Sequence, residues 1–145
     1  MIGEKRWRDN WRVVSPDGSR RVDLPRGRRE RRGQSHAIRE LPAGTPVVLF
    51  AKAPGAIGRC RSFASEADIE VEREYLAFPN AATPGYLVED APASVGLFVE
   101  RFLTSPPRSR FSRPLEAGFG LLRRLDSWRL IRTIAPARVA VGRRR

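Results

Sequence analysis

The unbroken apolar run Val47-Val48-Leu49-Phe50-Ala51 limits what this 145-residue chain can fold into more than any other stretch. Continuous apolar character suits a strand covered on both faces, as in a parallel sheet. The turn Leu41-Pro42-Ala43-Gly44-Thr45-Pro46 leads into it, and the loop from Lys52 to Gly58 leads out. A short helical segment follows around Arg59 to Ala67, then the clearest period-two pattern in the chain, Ile69 to Phe78. A Pro-Asn-Ala-Ala-Thr-Pro turn returns to Tyr86-Leu87-Val88. Strand, loop, helix, strand, turn, strand predicts an α/β fold.

The loop between Lys52 and Gly58 sits at the carboxyl end of a strand and just before a helix. That is where α/β folds place ligands, and backbone N–H groups at a helix start attract anions. Lys52, Gly55, Gly58, Arg59 and Arg61 are therefore the anion-binding candidates. The loop lacks the Gly-Lys-Ser/Thr of a Walker motif and the spacing of Gly-x-Gly-x-x-Gly, so it also reads as a plain connection. In the 69–78 strand, Ile69, Val71 and Tyr75 are expected on one face and Glu70, Glu72 and Glu74 on the other. Three carboxylates on one face suggest a metal or catalytic cluster, but an exposed face that discourages strand-to-strand aggregation explains them as well. No metal site is expected.

Arginine supplies 26 of the 28 basic residues, and the formal net charge is +12. The charge is uneven: residues 1–40 carry a net +6, residues 41–105 a net −3, and residues 106–145 a net +9. Basic flanks around a mildly acidic core could meet nucleic acid, another polyanion or an acidic partner. The single cysteine, Cys60, and the single histidine, His36, leave no disulfide framework and no paired-ligand zinc motif. There is no secretory h-region, and no apolar run approaches the roughly 20 residues of a membrane span. A cytoplasmic location is the default expectation.

In the first flank, Pro16-Asp17-Gly18 is a strong turn signal, which predicts a small hairpin between Trp11–Val14 and Arg21–Leu24. Residues 25–36 offer little to bury and hold five arginines within seven positions. They read as a mobile basic linker, with Arg26, Arg28, Arg29, Arg31 and Arg32 as nucleic-acid candidates. Residues 1–40 are thus expected to form a basic hairpin and linker, and residues 41–145 the α/β domain.

Beyond the strands, Glu89-Asp90-Ala91-Pro92 predicts a helix start, with proline at the first helical position. Val95, Phe98, Val99 and Phe102 give that helix one apolar face. A polar connector over 105–113, a second amphipathic helix over 114–125, a short helix over 128–134 and a last strand over 137–141 complete the expectation.

Residues 41–145 resemble the C-terminal half of a class I S-adenosylmethionine-dependent methyltransferase of actinobacterial type. The resemblance is carried by the Leu41-Pro42-Ala43-Gly44 turn, by the following helix with its arginines and alanines, and by Glu72-Arg73-Glu74-Tyr75-Leu76-Ala77-Phe78-Pro79 with Pro84-Gly85-Tyr86-Leu87-Val88. The ending Ala135-Pro136-Ala137-Arg138-Val139-Ala140-Val141-Gly142 is also similar. It implies an incomplete doubly wound sheet with a C-terminal antiparallel strand pair and flanking helices, in a protein accessory to polysaccharide or secondary-metabolite biosynthesis. The family's acidic-Gly-x-Gly-x-Gly cofactor loop has no counterpart in residues 1–40, so no cofactor residue carries over. S-adenosylmethionine would be held only with a partner protein supplying the missing half. Phe50-Ala51-Lys52-Ala53-Pro54 with Gly58-Arg59-Cys60-Arg61 is similar to the nucleotide-binding opening of sugar-nucleotide transferases, with a displaced glycine and Cys60 in place of threonine. Three functions follow as expectations: a partner-dependent methyltransferase-like domain, a nucleic-acid-binding protein, or a nucleotide-sugar transferase-like protein.

Overall fold

In the computed structural model, residues 10–78, 85–102 and 127–145 are described. The chain divides into one unit of Met1–Leu87 with Ala135–Arg145 and another of Val88–Ile134. A 3₁₀ turn, Asn10–Val14, precedes β1 (Arg20–Asp23), α1 (Arg28–Arg39), β2 (Pro46–Lys52), α2 (Ala56–Glu66), β3 (Ile69–Phe78) and β4 (Tyr86–Glu89). Helices α3 (Pro92–Phe102) and α4 (Ser127–Ile134) and strand β5 (Ala137–Arg144) follow. The expected connector and the helix over 114–125 lie outside the described residues.

The fold is α/β, built on a mixed five-stranded sheet in the order β1-β2-β5-β3-β4. Strands β1 and β2 pair in parallel, with Val22 opposite Leu49, and α1 makes the crossover between them. The last strand, β5, is inserted antiparallel between β2 and β3, so β2 and β3 run the same way.

The apolar run behaves as a doubly covered strand must. Val47, Leu49 and Ala51 enter a cluster with Ile38 of α1 and with Cys60, Phe63 and Ala64 of α2. Val48 and Phe50 point to the opposite face, where they meet Tyr75, Val139 and Val141, with Trp11 and Val14 packed against them. In the second unit, Val95, Phe98, Val99 and Ile131 are buried. Asp90 there accepts from Trp128 Nε1 at 2.7 Å and pairs with Arg132 Nε at 2.9 Å.

Three expectations are corrected. The Pro-Asp-Gly turn forms, with Ser19 N–H donating to Pro16 O and Gly18 at φ 73°, but no hairpin results. Its first arm coils into the 3₁₀ turn, and its second pairs with β2, where Val22 gains a buried position that an isolated two-stranded ribbon lacks.

The arginine-rich linker is the helix α1. Arginine is a good helix former, and one face of this segment is not wholly surface: Ser35 and Ile38 are buried. Arg31 lies on the same side, one turn earlier, and donates to the carbonyls of Pro25 and Arg26. The remaining arginines spread over the exposed side, where water screens their repulsion.

In β3 a register shift between Val71 and Arg73 breaks the strict alternation. Ile69 and Val71 pack in the cluster beneath α2, whereas Tyr75 belongs to the opposite face. Glu74 is not part of an exposed acidic stripe: its side chain is 18% exposed and pairs with Arg138, itself 1% exposed. The strand over 137–141 also runs on to Arg144. Arg143 pairs with Glu72 at 3.0 Å and Arg144 with Asp68 at 3.1 Å, so acidic residues around β3 neutralise part of the basic C-terminal flank.

Candidate anion-binding cleft

Two parallel strands ending at the same edge, each followed by a helix, leave a crevice where their loops diverge. Here β1 turns into α1 through Leu24–Gly27, and β2 turns into α2 through Ala53–Gly55. Between them lies a cleft of about 460 Å³, lined by Arg21, Asp23, Arg26, Phe50, Lys52 and Arg59 among others.

Each cation reaches this cleft by a separate local device. Arg21 lies on β1 with its guanidinium carbon 4.8 Å from the Phe50 ring centre and 4.9 Å from that of Trp11. It donates through Nε and Nη2 to Asp23 Oδ1 at 3.0 and 2.8 Å. The aromatic faces and the carboxylate together fix its position.

Arg26, from the first loop, crosses to the second and donates through Nη2 to Ala53 O at 2.9 Å. Arg59, in the second turn of α2, folds back to donate through Nη1 to Pro54 O at 2.7 Å and through Nη2 to Lys52 O. Gly55 takes the N-cap of α2 with a left-handed φ of 73°, and no side chain caps the helix. A glycine suits that conformation, which a side chain adopts only under strain.

The electrostatic consequence is specific. Arg26 and Arg59 bind backbone carbonyls, which satisfy hydrogen-bonding capacity without neutralising charge. Among the described residues, the one carboxylate lining the cleft, Asp23, is engaged by Arg21. Burial lowers the affinity of the Arg59 guanidinium for its proton, and the nearby charges of Arg26 and Arg31 lower it further. The site therefore holds an excess of positive charge that an anion would relieve.

No family, curated protein or solved structure matches the chain.

Of the anion-binding candidates, the fold brings Lys52 and Arg59 into the cleft, with Gly55 at the helix start behind them and Gly58 in the first turn of α2. Arg61 departs from the group: its Nε lies 3.7 Å from Glu74 Oε1. The nucleic-acid candidates also divide. Arg26 and Arg31 hold the β1–α1 loop and its neighbour, while Arg28, Arg29 and Arg32 are exposed on α1.

Arg21 and Phe50 are cleft residues that the sequence did not single out. Phe50 is hidden in an apolar run, and the parallel register that sets Asp23 opposite Phe50 spans 27 positions of chain. Cys60 lies on α2 away from the cleft lining, and burial pushes its thiol up to about 12. At neutral pH it is protonated and a poor nucleophile.

Proposed function

We propose that this chain is a methyltransferase-like α/β domain that works with a partner protein and does not transfer methyl groups alone. The observation that carries the reading is the position of β5. The final strand lies antiparallel between two strands that run the same way, after an ordered series of strand, helix and strand entered through Leu41–Gly44. The resemblance of residues 41–145 to the later half of a class I methyltransferase calls for that series and for a closing antiparallel pair.

The chemistry of the cleft supports the dependence on a partner. S-adenosylmethionine carries a sulfonium and an ammonium against one carboxylate, so it is a net cation. The cleft carries four cationic side chains and one carboxylate, already bonded, and would repel such a ligand. A cofactor of this kind would need groups outside this cleft, which a partner could bring.

Equilibrium dialysis of the isolated chain against labelled S-adenosylmethionine tests the reading. No saturable uptake is expected. Stoichiometric binding by the chain alone would overturn the partner-dependent assignment.

A further inference from the structure

The cleft at the ends of β1 and β2 points to a ligand of its own. We propose that it binds the phosphoryl groups of a small phosphate ester, with Lys52, Arg26 and Arg59 supplying the charge and the uncapped start of α2 beside them. The proposal does not depend on the methyltransferase-like reading, because it concerns an acidic small molecule and not a methyl donor.

Four features carry it. The cleft of about 460 Å³ is large enough for more than one phosphoryl group, and its lining includes Arg21, Arg26, Lys52 and Arg59. Its cations come from different elements, β1, the β1–α1 loop, the end of β2 and α2, so the fold gathers them and simple sequence adjacency does not.

The two arginines nearest the loop are oriented before any ligand arrives. Arg26 is tied to Ala53 O, and Arg59 to Pro54 O and Lys52 O. Fixing both guanidinium planes removes much of the ordering cost that mobile surface arginines incur on binding. Finally, Arg59 Nε is buried without a hydrogen-bond partner among the described residues, and the Asp23 carboxylate in the cleft is already engaged by Arg21.

A second basic depression, lined by Arg32, Ser35, His36, Arg39 and Glu66, is the natural comparison. Its cations all lie on one helix, and Glu66 offsets part of their charge. It therefore serves as the control surface.

The test is calorimetric titration of the full chain with pyrophosphate at low ionic strength, repeated with Lys52→Glu, Arg26→Gln, Arg59→Gln and, as control, Arg32→Glu. Saturable one-to-one binding is expected. Lys52→Glu should weaken it by about tenfold or more, since a charge-assisted contact becomes a repulsion. Arg32→Glu should change it by less than about twofold, within the range of long-distance screening.

Lys52 is exposed, and among the described residues its backbone carbonyl and not its side chain holds Arg59, so a folded Lys52→Glu variant keeps the test decisive if Arg59→Gln unfolds. Equal losses at Lys52 and Arg32, or no saturable binding, would overturn the proposal. So would a single-stranded oligonucleotide that binds through Arg28, Arg29 and Arg32 while pyrophosphate does not, since that outcome assigns the basic surface to nucleic acid.

Discussion

Arg138 Nη2 donates to Glu74 Oε2 across 2.6 Å in the interior of the first unit, with the arginine side chain 1% exposed. Strand β5 delivers the guanidinium and β3 the carboxylate. A buried ion pair is a structural commitment: it gains little over apolar packing, but removing either half is costly.

Glu74→Ala should therefore destabilise the chain by roughly 3–5 kcal/mol, by removing a carboxylate that pairs with the buried Arg138 guanidinium. The double replacement Glu74→Leu with Arg138→Met should recover most of that loss. Urea unfolding followed by circular dichroism measures both, and a double variant no better than the single one would contradict the argument.

At Gly142 in β5 an added side chain would meet the backbone of β3. A Cβ there would lie 2.9 Å from the carbonyl carbon of Glu70 and 3.0 Å from Val71 Cα, and would clash with Glu70 O. Gly142→Ala should cost about 1–3 kcal/mol through overpacking, also read from urea midpoints. Arg143→Ala, at an exposed ion pair, should cost no more than about 1 kcal/mol.

Cys60 gives the chain an alkaline weakness. Burial raises its thiol from an ordinary value of 9.0 to about 12 in the folded state. A group whose folded value is raised contributes fully below the unfolded value and loses its contribution as pH climbs to the folded one. Stability should thus decline between pH 9 and about pH 12, and Cys60→Ala should remove that part of the slope. A thiol reagent at pH 7 should react only at the rate of unfolding.

In the second unit, Asp90, just before α3, holds α4 through Trp128 and Arg132, and Arg132 also lies 5.1 Å over the Trp128 ring. Asp90→Ala should cost about 3 kcal/mol or more, because it leaves Arg132 and the indole N–H without their shared acceptor. Hydrogen exchange would show the loss as reduced protection in 92–102 and 127–134. Unchanged protection there would mean that apolar packing, to which Val95, Phe98, Val99 and Ile131 contribute, holds the helices without Asp90.

What could be read from the sequence follows from how far apart the deciding residues lie. The doubly covered strand β2 and the helix α3 were legible because their signals are local: a run of five apolar residues, and an apolar stripe with proline at its first turn. The parallel pairing of β1 was not, since a Pro-Asp-Gly turn is visible in four residues and its actual partner lies beyond α1. The helix α1 hid behind its arginines, because only Ser35 and Ile38 are buried along its inner face.

Glu74 was misread because the shift after Val71 changes which residues share a face, and no composition rule announces a bulge. The cleft was half legible. Lys52 and Arg59 follow from the rule that ligands gather at strand ends, whereas Arg21 and Arg26 enter only through the β1–β2 register.

The central claim, that charge gathered at the ends of β1 and β2 forms a phosphoryl site, is tested most directly by an amide shift map of the chain during pyrophosphate titration. The account predicts saturating shifts confined to the 23–27 and 52–59 segments, with α1 beyond Arg31 unmoved. Shifts spread along the exposed side of α1, and none at 52–59, would contradict it.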